Sequence, residues 1–146
     1  MNPDELEREE LLFIDPNYLD CALATGDSAD IEALRAWCAA LPPKSYGHVF
    51  VEVEDLAKDL GTLTAPAGVG VTVVDRGSEP AGARAARAVD AWLDEWLRGD
   101  PLSGRHITFW AGMQHDPSMR AFRCRIEDEL AEVWSAAADY RAHSAA

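Results

Sequence analysis

Two hydrophobic patterns alternate along this chain. Short apolar runs occur at residues 18–25, 47–53, 69–74 and 106–110. Each is bounded by turn-forming residues, and all but the first are rich in β-branched or aromatic side chains, so each predicts a buried strand. Between them lie stretches in which apolar residues return every three or four positions. Ile31, Leu34, Cys38 and Leu41 predict one helix, opened by Asp27 or Ser28 and closed by Pro42-Pro43. Val89, Trp92, Leu93, Trp96 and Leu97 predict a second over about 82–98, stopped by Gly99-Asp100-Pro101. Met119, Phe122, Ile126 and Leu130 predict a third, with Asp116 as N-cap and Pro117 in its first turn. Residues 54–68 form a longer, irregular connection. The tail is ambiguous: periodicity can carry the last helix through Val133 and Trp134, or residues 133–138 can form a final short strand.

Alternating strands and helices predict an α/β fold with a parallel sheet. The strands are apolar runs rather than half-polar ones, as a sheet covered on both faces requires. Right-handed crossovers then give a doubly wound, five-stranded, Rossmann-like sheet of order 3-2-1-4-5 with helices on both faces. Ligands of such sheets bind beyond the carboxyl ends of the strands, where the order reverses, here between strands 1 and 4. The sequence places Gly26, Asp27 and Ser28, Glu52 and Glu54, Asp75 and Arg76, Ala111, Gly112 and Met113, and the segment around Tyr140 and Arg141 at that edge.

At 146 residues the chain suits one domain. It divides into an acidic lead over 1–17, with Leu11-Leu12-Phe13-Ile14 as its apolar cluster, and a domain over 18–146. Its formal charge is −13, from 26 acidic and 13 basic residues. With no Lys/Arg stripe to offset it, that charge argues against nucleic acid and anionic membranes as partners. No apolar run reaches the roughly 18 residues of a membrane span, and the acidic N-terminus is unlike a signal peptide. Cys21, Cys38 and Cys124 are odd in number and lack metal-ligand spacing. They read as buried apolar residues in a reducing compartment, which points to the cytoplasm. No metal site and no nucleophile–base pair is assembled by the sequence, so catalytic residues are not assigned. A phospho-acceptor receiver domain is excluded, because Lys44 and Lys58 are misplaced for it.

Several of these segments resemble one family in order and spacing. Leu23-Ala24-Thr25-Gly26-Asp27-Ser28-Ala29, His48-Val49-Phe50-Val51-Glu52-Val53, residues 68–76 ending in Asp75-Arg76, and Phe109-Trp110-Ala111-Gly112 followed by Met119-Arg120-Ala121-Phe122-Arg123 are similar to the C-terminal domain of siderophore-interacting proteins. The likeness runs from about residue 19 to 141. It implies the NAD(P)H-binding half of a ferredoxin-reductase-like flavoenzyme that reduces ferric siderophores. It also implies a fifth strand before the terminal motif, matched here by Ala138-Asp139-Tyr140-Arg141. The family's FAD barrel does not fit in the roughly 18 residues before strand 1, so FAD is expected on a separate polypeptide. A homodimer or non-catalytic interaction module is the alternative.

The site residues implied are Gly26, Asp27 and Ser28 for pyrophosphate, Arg76 for a 2′-phosphate, and Trp110, Ala111, Gly112, Tyr140 and Arg141 as further cofactor-binding residues at the ligand edge. The departures are specific. The family's Gly-Asp-Glu-Thr reads Gly26-Asp27-Ser28-Ala29, the Glu of its Ala-Gly-Glu loop is Met113, and two further residues separate Gly112 from the helix. NAD(P)H binding is therefore expected to be weak or absent, and salt-sensitive. The purified chain should be colourless; stoichiometric FAD absorbance would contradict this reading.

Overall fold

The computed structural model describes residues 20–57, 61, 63–103 and 105–144. The acidic lead and its Leu11–Ile14 cluster lie outside the described residues, as do Tyr18 and Leu19 of the first expected strand. Strand β1 spans Cys21–Asp27, β2 Tyr46–Val53, β3 Gly68–Asp75 and β4 Ile107–Ala111. Helix α1 spans Ile31–Ala40 and is entered through a single 3₁₀ turn, Ser28–Asp30. Helix α2 spans Ala83–Leu93 and runs into a π-helical turn, Asp94–Arg98, and α3 spans Pro117–Ser144. The four strands are all parallel, in the order β3-β2-β1-β4.

Side chains alternate across the sheet and fill two cores. On one face Leu23, Phe50 and Ile107 pack against Val89, Leu93 and Leu97 of α2 and its π turn, and against Met119, Phe122 and Ile126 of α3. On the other, Ala24, Val49, Val51 and Val53 pack under Leu34 and Cys38 of α1. Helices thus cover both faces, as the apolar strand runs require. Cover is thinnest over β3. The crossover from β2 to β3 contains no helix among the described residues. Its Leu63 and Ala65 shield Val69, whereas Val71 and Val73 remain 40% and 47% exposed.

The fifth strand is not formed. Residues 133–138 lie inside α3, which continues unbroken through them. After Pro117 this segment holds no Gly or Pro, and it is rich in Ala, Glu and Arg, all strong helix formers. The periodic stripe also continues from Ile126 through Leu130 and Val133 to Ala137, so the same helical face stays against the protein. Ion pairs fix the helix laterally. Glu129 binds Arg98 of the π turn and Arg125 crosses to Asp90 of α2, while Arg123 pairs within the helix with Glu127 one turn on. Arg120 donates to the Gln114 carbonyl instead of pairing along the helix.

The cysteines are free. Cys21 and Cys38 are buried, but Cys124 is exposed on α3, contrary to the expectation of three buried thiols. Burial pushes the Cys21 thiol up to about 11, which makes it an inert core residue. No helix among the described residues is long and apolar enough to cross a membrane. Because 133–138 is helix, Ser135→Pro should cost about 3 kcal/mol and reduce helical circular dichroism. An edge strand would tolerate the same change, so an unchanged melting temperature would refute the helix assignment.

Candidate functional site

The carboxyl ends of the strands bring most of the expected residues to one edge. The Gly112 amide donates to the Thr25 carbonyl at 2.8 Å, which joins the exits of β1 and β4. Asp27 ends β1 and caps the 3₁₀ turn, its Oδ1 accepting from the Ala29 amide at 3.0 Å. Ser28 follows, exposed, in that turn. Ala111 is the last residue of β4.

The switch-point crevice is occupied by Asp30. Its Oδ2 accepts from the Asp27 amide at 2.9 Å and from the Met113 amide at 3.0 Å. Those amides lie on the β1 and β4 exits, so one carboxylate bridges both. The two glycines that flank the crevice make room for it. A Cβ at Gly26 would stand 2.9 Å from the Asp30 Cβ, and one at Gly112 would fall on the Asp30 carboxylate. Met113 takes a left-handed backbone at φ 58°, sparsely populated for a non-glycine residue. That turn aims its amide at Asp30 while its side chain is buried in the core.

A second carboxylate organises the neighbouring strand ends. Glu52 is completely buried near the end of β2. It accepts from the Gly82 amide at 2.7 Å and the Ala85 amide at 3.2 Å, the N-cap and the first turn of α2. A negative charge there is favoured by the free amides and the helix dipole. Arg76 supplies the counter-charge, with Nε 2.9 Å from Glu52, a second nitrogen 2.7 Å from exposed Glu54, and a third 3.5 Å from Asp27. Its partners are therefore these three, rather than the sequence-adjacent Asp75 or Glu79. The Glu52 hydrogen bond, partly opposed by burial, raises the guanidinium pKa further. Glu79 instead holds Arg84 and Arg87.

Three expected residues are placed elsewhere. The Trp110 side chain packs into the core beneath α1 rather than into the crevice. Tyr140 and Arg141 sit late in α3, past Trp134, whose ring meets His106 at the opposite end of β4, and Arg141 lies 5.9 Å over that ring. A helix of this length is about 42 Å long, more than twice a five-residue strand of about 17 Å. It therefore carries Tyr140 and Arg141 away from the switch point. The strand expected before them would have returned the chain to it.

Asp30 was missed by sequence reasoning. The available signal was the Asp27-to-Asp30 spacing, which suits a reciprocal cap. Among the described residues no group of three His, Cys, Asp or Glu could hold a metal ion. As folded, the edge fits a dinucleotide phosphate poorly. The amides of Asp27, Met113, Gly82 and Ala85 already serve carboxylates, and Arg76 faces three.

The siderophore-interacting protein family profile matches residues 19–140, most of the sequence. The chain belongs to that family. No curated protein matches it. Among solved structures, it is similar to the siderophore-interacting protein SipS from Aeromonas hydrophila, at 21% identity and a TM-score of 0.52 over 73% of this chain and 40% of that one. It is also similar to a siderophore utilization protein from T. fusca, at 21% identity and a TM-score of 0.55 over 79% of this chain and 41% of that one. The chain thus corresponds to about two fifths of each, and at this identity the likeness is one of fold.

Asp27 gives this site a pH signature. Burial, then the nearby Asp30 charge, raise its pKa above the ordinary aspartate value, outweighing the Ala29 amide and Arg76. An acid with a raised folded pKa favours folding while protonated, and that contribution disappears as pH rises through the folded pKa. Asp27→Asn keeps a capping oxygen and removes the charge. It should raise the melting temperature at pH 7 relative to the parent protein, with the gain shrinking toward pH 3. A gain independent of pH would exclude this origin.

Proposed function

We propose that this chain is the NAD(P)H-side domain of a siderophore-interacting protein, working with flavin held outside these residues in the reduction of ferric siderophores. Family membership over 19–140 supports the reading, together with a parallel sheet whose switch point lies between β1 and β4. The observation that carries it furthest is the convergence of the Gly26 and Gly112 exits there. Nicotinamide and flavin would supply the hydride chemistry when bound. This chain would contribute the Gly26–Ser28 turn, the 111–113 loop and Arg76 as the binding surface.

Binding through these groups is weak. A phosphate must compete with carboxylates already seated on the backbone amides, within the field of a −13 protein. Arg76 is committed on all sides, but its Glu54 partner is 71% exposed and can swing away, whereas Glu52 cannot. A 2′-phosphate would therefore approach Arg76 from the Glu54 side.

The same carboxylates favour a second reading, in which the domain keeps the fold for protein interaction or dimerisation and binds no nucleotide. Calorimetric titration with NADPH and NADH separates the two. The first reading expects a dissociation constant of about 1 mM, weakened as salt rises because the contacts are ionic. It also expects Glu54→Gln to tighten NADPH more than NADH. No heat from either nucleotide at several times that concentration favours the interaction module.

A further inference from the structure

We propose that Asp30 is a built-in competitor for the phosphate site, its carboxylate occupying the cradle that an anionic ligand of this domain must enter. The inference rests on the nucleotide-side reading of the switch point and names the residue that restricts it.

Three observations converge on Asp30. First, one carboxylate oxygen takes two amides from separate exits of the sheet, Asp27 of β1 at 2.9 Å and Met113 of the β4 loop at 3.0 Å. Two backbone donors aimed at one point form an anion-binding concavity, of the kind that holds phosphate oxygens. Second, both walls are glycine. The space a side chain would take at Gly26 and Gly112 is given over to the Asp30 side chain. Glycines at such an edge ordinarily let a ligand approach the backbone, and here they admit a carboxylate of the same chain. Third, Met113 holds a left-handed backbone without being glycine, so the loop keeps a costly conformation that points its amide inward.

The electrostatics give the direction of the effect. Asp30 neutralises the donors and adds its own charge beside Asp27, whose carboxyl the pair already disfavours as an anion. A phosphate reaching this point must displace Asp30 and then sit beside it. Removing the carboxylate frees both amides and removes one repulsive charge. Arg76 remains 3.5 Å from Asp27, close enough to supply counter-charge.

The test uses the full chain with Asp30→Ala and Asp30→Asn, inorganic pyrophosphate as probe, and calorimetry paired with thermal melts. Both variants should bind pyrophosphate roughly 10- to 100-fold more tightly than the parent, the range expected for a regained charge-assisted hydrogen bond. Asp30→Ala should also melt lower, since its bridge between two exits is lost. A merely structural Asp30 would lower the melting temperature without any gain in affinity. Should Asp30→Ala not fold, Asp30→Asn still decides, because its neutral oxygen is a weaker rival for the two amides than a carboxylate and brings no repulsive charge. Folded Asp30→Asn that binds pyrophosphate no better than the parent overturns the proposal. If pyrophosphate binding improves but neither NADPH nor NADH binds the variant, the competitor role stands and the NAD(P)H reading falls. If the parent protein binds NADPH tightly and both variants are unchanged, the reading stands and the competitor role falls.

Discussion

A fully buried glutamate holds the working edge of this protein together. Glu52 ends an apolar strand, where a carboxylate carries a large desolvation cost unless its lone pairs are filled. Here two α2 amides and the Arg76 guanidinium fill them. The consequence is architectural. One side chain fixes where α2 begins, ties the end of β3 back to β2, and through Arg76 reaches Asp27 at the exit of β1. Removing Arg76 leaves Glu52 an uncompensated buried charge, a loss of roughly 3–5 kcal/mol in comparable pairs. The edge is thus rigid for the same reason that it is acidic.

That rigidity has a functional cost. In a doubly wound sheet the amides at helix starts and strand exits are the natural receptors for phosphate. Here Glu52 serves the α2 start and Asp30 serves the β1 and β4 exits. The domain satisfies its own donors with carboxylates, so folding and anion binding draw on the same atoms. A ligand that wins a place does so by replacing an internal contact, not by filling an empty one.

The parallel order of the first four strands, their exits and the covering helices were legible in the sequence because burial on both faces writes unbroken apolar runs. The family resemblance was legible for a related reason: Gly26, Arg76 and Ala111-Gly112 mark strand exits, where backbone geometry restricts residue choice. The tail was not legible. Val133 and Trp134 suit a strand as well as a helix, and the resemblance tipped the balance toward strand. What decided otherwise was a breaker-free run and lateral pairing of Glu129 with Arg98, a contact between residues far apart in sequence. Tyr140 and Arg141 were lost with that strand. Trp110 was placed at the edge correctly by number but on the wrong face, since a strand side chain alternates and its neighbours choose the side. Asp30 was passed over, and Glu52 was placed at the edge without its burial, because a carboxylate carries no mark of the amides it will meet.

The thinly covered strand β3 bears on how copies of this molecule behave toward one another. From Gly68 to Val74 it carries no charged side chain, and it lies at the margin of the sheet with Val71 and Val73 open to water. An uncharged margin of this kind is a template for sheet extension between molecules. The surplus of acidic residues supplies the opposing force, a repulsion that acts before two such margins can meet. Its reach is set by dissolved ions and shrinks from about 30 Å at 0.01 M to about 8 Å at 0.15 M. Colloidal behaviour is therefore a balance between one partly exposed edge strand and the charge of the whole surface, and ionic strength moves that balance without altering the fold.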